Sequence, residues 1–354
     1  MEVNAGPESI QYLLMFLLRK FLIFRSVEFP DRRIVVTEIF IELPFPDFPV
    51  IAVLKEGETL GDWTIREKLG QGSYGAVYTV VNKKGELYAM KTESVKSYNK
   101  VLKAEYYVLS ELKRIKAQHF CTIIDSGLIG ETKYLVMTLV GLTLTELRKY
   151  DPTVKVHKFS LGCALSVGIK CLEAIQEIHS VGYLHRDIKP SNYAIGRIEV
   201  RQIYLLDFGM CRKYKDNSSN IRNPRSFAAF RGTVRYAPLS CHVAREQCRK
   251  DDLESWLYQQ VELTTGRLPW KNMKDRDDVG KCKKLCRQKE YVKELLGGCP
   301  REYLAILRLI DSLRYYSDPD YARICEYLRE AIRNNNVSEY PYDWEMLNEK
   351  TAAE

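Results

Sequence analysis

Eight residues starting at His185, "HRDIKPSN", hold an aspartate (Asp187), a lysine two positions on (Lys189) and an asparagine five positions on (Asn192). Twenty positions beyond Asp187 comes Asp207, at the head of "DFG". Two acids, a lysine and an amide at these spacings suit the transfer of a phosphoryl group to a hydroxyl. That reaction needs in-line alignment, a metal to neutralise phosphate charge and a place for the hydroxyl proton. Asp187 fits the last role, taking a hydrogen bond from the attacking hydroxyl and orienting it. Lys189 would neutralise charge on the transferring group. Asn192 and Asp207 offer oxygen donors to Mg²⁺, a hard ion that keeps several waters. Arg186 would brace the loop, and Gly209 would let the chain turn sharply after Asp207. A solvated loop acid explains any one of these carboxylates, but not five roles at the required spacings.

Upstream, "GQGSYG" places Gly70, Gly72 and Gly75 between two predicted strands, with Gln71, Ser73 and Tyr74 among them. Glycine lets backbone N–H groups approach phosphate oxygens without side-chain interference. The pattern alone is a weak signal. A dinucleotide-binding version should open a helix, whereas Ala76, Val77 and Tyr78 continue as strand. A hairpin lid over a nucleoside triphosphate such as ATP follows, with Val77 and Ala89 as the apolar roof over adenine. Lys91, in "YAMK" on the next strand, would reach the α- and β-phosphates, with Glu105 on the following helix as its ion-pair partner.

These residues need a frame around a cleft. "WTIREKLGQGSYGAVYTVVN" reads as strand, glycine turn, strand, "ELYAMKTES" as a third strand and "KYLVMTLVG" as another; residues from about 97 to 116 carry helical spacing. Beyond Gly141 the chain turns helical: Leu161, Leu165, Ile169, Leu172, Ile175 and Ile178 recur every three or four residues, marking one buried stripe. That helix stops before "HRDIKPSN", which must be a loop, and "RQIYLLDFG" is a short apolar strand leading to Asp207. Residues 1–61 read as an appendage that ends in the proline-punctuated "LPFPDFPV". Residues 62–334 form the catalytic domain (β lobe 62–137, joint 138–141, α lobe 142–334), and 335–354 a short tail.

Length allows a full core, and composition is that of an ordinary soluble globular protein. A net charge of +8 permits an acidic partner but singles out none. The ten cysteines are scattered without a CxxC pair or a zinc cluster, so reduced thiols in cytosol or nucleus are expected. Arg19 and Lys20 split the apolar run "IQYLLMFLLRKFLIF", and its leading residues are acidic, so it fits neither a membrane span nor a signal peptide well. A packed extension or a poorly ordered leader is the plainer reading; membrane or partner docking is the other.

The motif set resembles the eukaryotic protein kinase family from about Trp63 to Asn334. The resemblance implies an α+β bilobal kinase fold with a β-rich N-lobe, a helical C-lobe and an ATP cleft between them. Lysine two residues after the loop aspartate is what serine/threonine kinases carry. Thr233 in "GTVRYAP" matches the threonine that bonds the catalytic Asp and Lys. Met137 aligns with the residue guarding the back of the adenine pocket, and Thr138, Leu139 and Val140 with the hinge that bonds adenine. The usual Ala-Pro-Glu is absent: Leu239 and Ser240 follow "RYAP". That glutamate normally pairs with a distant arginine, so another anchor is implied. The casein kinase I superfamily lacks it too, and "IHSVGYLHRDIKPSNYAIG", "FRGTVRYAPLSCH", "RKDDLESW", "GRLPW" and "PYDWE" look like its tau-tubulin kinase group. Asp252 matches the residue that anchors the catalytic loop backbone. Ala194 stands where kinases usually have a leucine floor under adenine. It implies a shallower floor, filled in part by Ile195, and alanine also occurs there in tau-tubulin kinases.

From Phe208 to Lys250 there are ten Lys/Arg against two acids. A solvated loop surface is the plain reading, and an anion site beside the acceptor groove is the functional one. The resemblance adds that Arg235 and Lys274 match casein kinase I positions that bind a phosphate, implying acidic or primed Ser/Thr substrates. Cytoskeletal substrates are a family-level expectation. Ser218, Ser219 and Ser226 could be modified, but ordinary loop serines are the simpler account. A monomer with no nucleic-acid or membrane partner is expected. The rival readings are a silent kinase-fold scaffold and a small-molecule phosphotransferase.

Overall fold

The computed structural model describes residues 54–72, 75–97, 100–149 and 157–345, and the backbone of two short strands further upstream. The chain divides into two units, Met1–Pro49 and Val50–Glu354. In the first, β1 (Phe21–Ile23) pairs antiparallel with β2 (Ile39–Ile41), Leu22 opposite Phe40. The rest of the apolar run 10–24 lies outside the described residues. Among those described, no helix is long and apolar enough to cross a membrane.

The second unit opens with β3 (Thr59–Leu60), β4 (Trp63–Gly72), β5 (Gly75–Val81) and β6 (Leu87–Ser94); β7 (Ile123–Ile129) and β8 (Thr132–Thr138) complete an antiparallel sheet of order β3-β4-β5-β6-β8-β7. Side chains on a strand alternate between two faces. Tyr78, Val80 and Met90 pack with Trp63, Ile65 and Val136 on one face. Val77, Thr79, Ala89 and Lys91 turn to the other, where they line the cleft. Helix α1 (Val101–Arg114) buries Leu102, Glu105, Val108, Leu109 and Leu112, a helical stripe in which one position carries a carboxylate.

Below the sheet, α2 (Leu144–Leu147) starts in a capping box between Thr143 and Glu146. Helix α3 (Leu161–Ser180) is buried almost all round and is the axis of the larger core. After it come β9 (Tyr183–Leu184), a 3₁₀ turn (Pro190–Asn192), β10 (Tyr193–Ile195), β11 (Ile203–Leu205) and β12 (Arg212–Lys213); β10 pairs with β11, and β12 with β9. The remaining helices are α4 (Leu239–His242), α5 (Arg249–Thr265), α6 (Arg276–Leu285), α7 (Val292–Leu296), α8 (Glu302–Ser312) and α9 (Tyr321–Asn334).

The folded unit reaches further at both ends than the span 62–334. Leu60 joins the small core beside Trp63. Tyr342 and Trp344 enter the larger one, where Trp344 meets Phe159 at 5.5 Å between ring centroids and donates from Nε1 to Val200 O at 3.1 Å. Large aromatics bury too much area to be left on a loose tail. Strands β7 and β10 are further elements that the sequence patterns did not reveal.

Candidate active site

A cleft of about 1460 Å³ lies between the sheet and the helical region. Gly70, Gln71, Gly75, Val77, Ala89, Lys91, Met137, Thr138, Leu139, Val140, Asn192 and Asp207 all line it. Gly72 pairs with Gly75 across the β4–β5 hairpin, which continues as strand and not as helix. A Cβ on Gly75 would collide with the Thr92 carbonyl, so only glycine lets the hairpin lie this close to β6. Ser73 and Tyr74 lie outside the described residues. Cys121, Leu142 and Arg197 also line the cleft and were missed, because each sits in a stretch with no phosphate or metal signature; Ser191 and Leu206 line it too, beside the motif residues Asn192 and Asp207 that drew the reading.

Ala194 and Ile195 depart from the sequence expectation. Neither lines the cleft; Ala194 is wholly buried opposite Tyr204 in the β10–β11 pair, and the lower wall includes Leu206. The methyl of Ala194 is too short to reach past the pair to the cavity, and the Ile195 side chain lies against Gly141.

At the back of the cleft, Lys91 Nζ stands 2.7 Å from Glu105 Oε2 and 3.5 Å from Asp207 Oδ1. Burial alone would depress this lysine, but the Glu105 and Asp207 carboxylates outweigh it and hold its pKa above the usual lysine value. Asp207 is held below its usual value: burial pushes it up, and Lys91, His185 and the Gly209 N–H pull it down further. Both groups are therefore charged at neutral pH. Phe208 turns inward, its ring 5.7 Å from Phe120 and 5.7 Å from His185.

The sharp turn expected at Gly209 falls on Asp207 itself, whose φ is +65°. Arg186 shares this left-handed backbone at φ +68°. Non-glycine residues held there carry strain that the surroundings must support. Gly209 is needed for space instead, since a Cβ on it would come within 2.7 Å of Val101 Cγ1 on α1.

Asp187, on the loop that ends at Asn192, is buried, and each of its carboxylate oxygens has a partner. Its Oδ1 accepts from Thr233 N at 2.9 Å and Thr233 Oγ1 at 2.8 Å, and its Oδ2 pairs with Lys189 Nζ at 2.6 Å. Lys189 also donates to Thr233 Oγ1 at 2.9 Å, closing a three-residue ring. Asn192 Nδ2 donates to Asp187 O at 2.8 Å, which turns its amide oxygen outward as a donor for a hard cation. One neutral oxygen and the Asp207 carboxylate suit magnesium, which takes few protein ligands and fills its shell with phosphate oxygens and water.

Asp252 on α5 supports the loop from below. It accepts from His185 N and Arg186 N, both at 2.8 Å, and from His179 Nε2 at 2.8 Å. Arg186 in turn donates from Nε to Met210 O at 2.7 Å, tying the loop to the segment after "DFG".

The basic stretch is less free than its composition implies. Arg212 and Arg225 both pair with buried Glu246, and Arg249 pairs with Asp318. Arg235 pairs with Glu262, a wholly buried acid that also binds Arg148 at 3.1 Å and accepts from the Tyr236 hydroxyl at 2.5 Å. Two guanidiniums on one carboxylate leave a net positive charge. Lys274, Ser218, Ser219 and Ser226 are exposed.

Comparison with known proteins agrees with this geometry. A family model described as protein kinase domain matches residues 63–298. The chain is 35% identical over 292 residues to a probable serine/threonine-protein kinase of Dictyostelium discoideum, covering 81% of this chain and 57% of that protein. It is 34% identical over 290 residues to the serine/threonine-protein kinase spe-6 of Caenorhabditis elegans, covering 80% and 75%. It is 30% identical over 295 residues to casein kinase I homolog 2 of Schizosaccharomyces pombe, covering 81% and 66%. The chain thus spans little more than half the length of the first of these. It belongs to the protein kinase family.

Proposed function

We propose that this chain is a serine/threonine protein kinase that transfers the γ-phosphoryl group of Mg-ATP to Ser or Thr hydroxyls of protein substrates. The observation that carries the reading is the Asp187–Lys189–Thr233 ring, bonded through Asp187 O to Asn192, which lines the same cleft as Lys91, Glu105 and Asp207. Bound Mg-ATP supplies the reactive phosphorus and the metal charge on its oxygens. Thr233 occupies Asp187 Oδ1, which leaves Oδ2, beside Lys189, to accept the substrate hydroxyl's hydrogen bond and orient it. Lys189 sits where it can offset charge on the incoming group. Lys91, fixed by Glu105, holds the nucleotide's phosphates, and Asn192 and Asp207 hold the cation. The relatives' printed names support the Ser/Thr acceptor.

Casein kinase I type, and within it the tau-tubulin kinase group, is our proposed branch, resting on the motifs from "IHSVGYLHRDIKPSNYAIG" to "PYDWE" and supported by the fission-yeast relative. Cytoskeletal proteins are the corresponding substrate class. Acidic or already phosphorylated sites are favoured through the positive surplus at Arg148–Glu262–Arg235 and through exposed Lys274. A reducing compartment, cytosol or nucleus, suits the ten free cysteines.

Titrating ATP into the full chain with and without Mg²⁺, beside Asp207→Asn, tests the site: affinity should need the metal and drop at least tenfold in the variant, roughly. Tight binding without transfer to any peptide would turn the reading to a silent scaffold. For specificity, Arg235→Ala with Lys274→Ala should weaken a primed peptide more than an unprimed one, and equal losses would defeat the preference.

A further inference from the structure

After "RYAP" this chain lacks the glutamate whose arginine pairing usually closes the activation segment, yet the segment 233–239 must still be held against the helical core. The structure shows what holds it. Lys283 of α6 lies beneath the segment with none of its surface exposed. Its Nζ donates to Val234 O at 2.7 Å and to Ala237 O at 2.7 Å, and stands 3.3 Å from His242 Nε2. The Tyr258 and Trp270 rings cover it, their centroids 5.1 and 5.2 Å from Nζ. Trp270 fastens the carbonyl between, donating from Nε1 to Arg235 O at 2.8 Å. Glu254 on α5 completes the cluster: it accepts from Leu239 N at 2.9 Å and from the Tyr258 hydroxyl at 2.6 Å, and pairs with Arg287 at 2.9 Å.

A lysine on a helix ordinarily runs its stem along the surface and leaves its amine in water. Burying the amine is costly unless it meets groups that need a donor. Carbonyls belong to the backbone and cannot be removed by changing side chains, so a segment that turns Val234 O and Ala237 O inward needs donors from below. The same segment starts at Thr233, whose N–H and hydroxyl set Asp187 Oδ1. A lysine amine keeps two N–H donors with or without its third proton, so the fastening depends on reach and donor count.

We propose that Lys283 is a positioning residue for the acceptor groove: by fastening the Val234 and Ala237 carbonyls it holds segment 233–239, and through Thr233 the Asp187 carboxylate, in the arrangement that receives a protein substrate's hydroxyl. The proposal rests on the kinase reading above.

Its test compares the full chain as wild type, Lys283→Met, which keeps the bulk of the stem and deletes the donors, and Lys283→Gln, which retains an NH₂ on a shorter stem. In Lys283→Met the KM for an acceptor peptide should rise about tenfold and kcat should fall, with Mg-ATP affinity within about twofold of wild type and Lys283→Gln between the two. Amide exchange at residues 234–239 should quicken while α3 stays protected. Unchanged peptide kinetics in Lys283→Met, or unchanged exchange at 234–239, would overturn the proposal. So would a joint loss of ATP affinity and of α3 protection, which would make the lysine a support of the whole fold. A wild type that transfers nothing would sink the kinase reading by itself, and the exchange comparison would still decide what Lys283 holds.

Discussion

Asp187 has two oxygens and two tasks: Oδ1 is spent on the Thr233 N–H and hydroxyl, while Oδ2 lies beside Lys189 and the cleft-lining Asn192. Because both Thr233 contacts land on one oxygen, the carboxylate cannot rotate, and its second oxygen stays aimed. Thr233→Ala removes the hydroxyl donor to Asp187 and the acceptor for Lys189 but leaves the backbone N–H. The expected outcome is a kcat lower by about one to two orders of magnitude with Mg-ATP affinity unchanged, read from steady-state kinetics and calorimetry. A drop in nucleotide affinity of the same size would mean that Thr233 supports the cleft and not the acceptor side. The residues that meet here were legible in the sequence because each belongs to a short motif of fixed spacing. Glu262 was not, since an acid inside α5 says nothing of the two arginines, at 148 and 235, that will converge on it.

Elements bring these groups together. Helix α5 carries Asp252 under the catalytic loop and, half a turn on, Glu254 under the activation segment; α6 carries Lys283 into the same layer. Burial lowers the Lys283 pKa to about 7, against attraction from Glu254 and Cys241 and with further lowering from Arg287; His242, Tyr258, Trp270 and Cys282 also face it or lie beside it. With the folded value below that of the unfolded chain, the unfolded state binds more protons between pH 7 and the ordinary lysine pKa. The lysine's contribution is then present above that ordinary value and is lost as pH falls through about 7. Urea unfolding of reduced protein should therefore show wild type gaining on Lys283→Met as pH rises from 7 to 8.5, by up to ~1 kcal/mol per pH unit. His242, itself lowered to about 4 chiefly by burial, titrates below this window. Parallel profiles would mean that the lysine amine is not held in a desolvated state.

At the scale of the molecule, the fold was legible where periodicity or glycine chemistry writes it: the hairpin over the cleft, the buried stripe of α3 and the loop that follows. What stayed hidden depends on contacts between distant stretches. Nothing in "PYDWE" alone says that Trp344 will lie against Phe159 and bond Val200 O. Trp344→Ala should cost about 3–5 kcal/mol of stability, seen as a lower urea midpoint with an unchanged slope. An unchanged midpoint would place the segment outside the cooperative unit. The replacement of the usual activation-segment glutamate was hidden for the same reason, because Lys283 and Val234 are neighbours only after folding.

The central claim is that Asp187 orients an alcohol for phosphoryl transfer, and one assay bears on it directly. Radiolabelled ATP, Mg²⁺ and acidic or primed Ser/Thr peptides are incubated with wild type and with Asp187→Asn, both first shown to bind nucleotide equally. Transfer by wild type with a loss of at least about a hundredfold in the variant is the predicted result. Equal transfer by the two proteins would contradict the account.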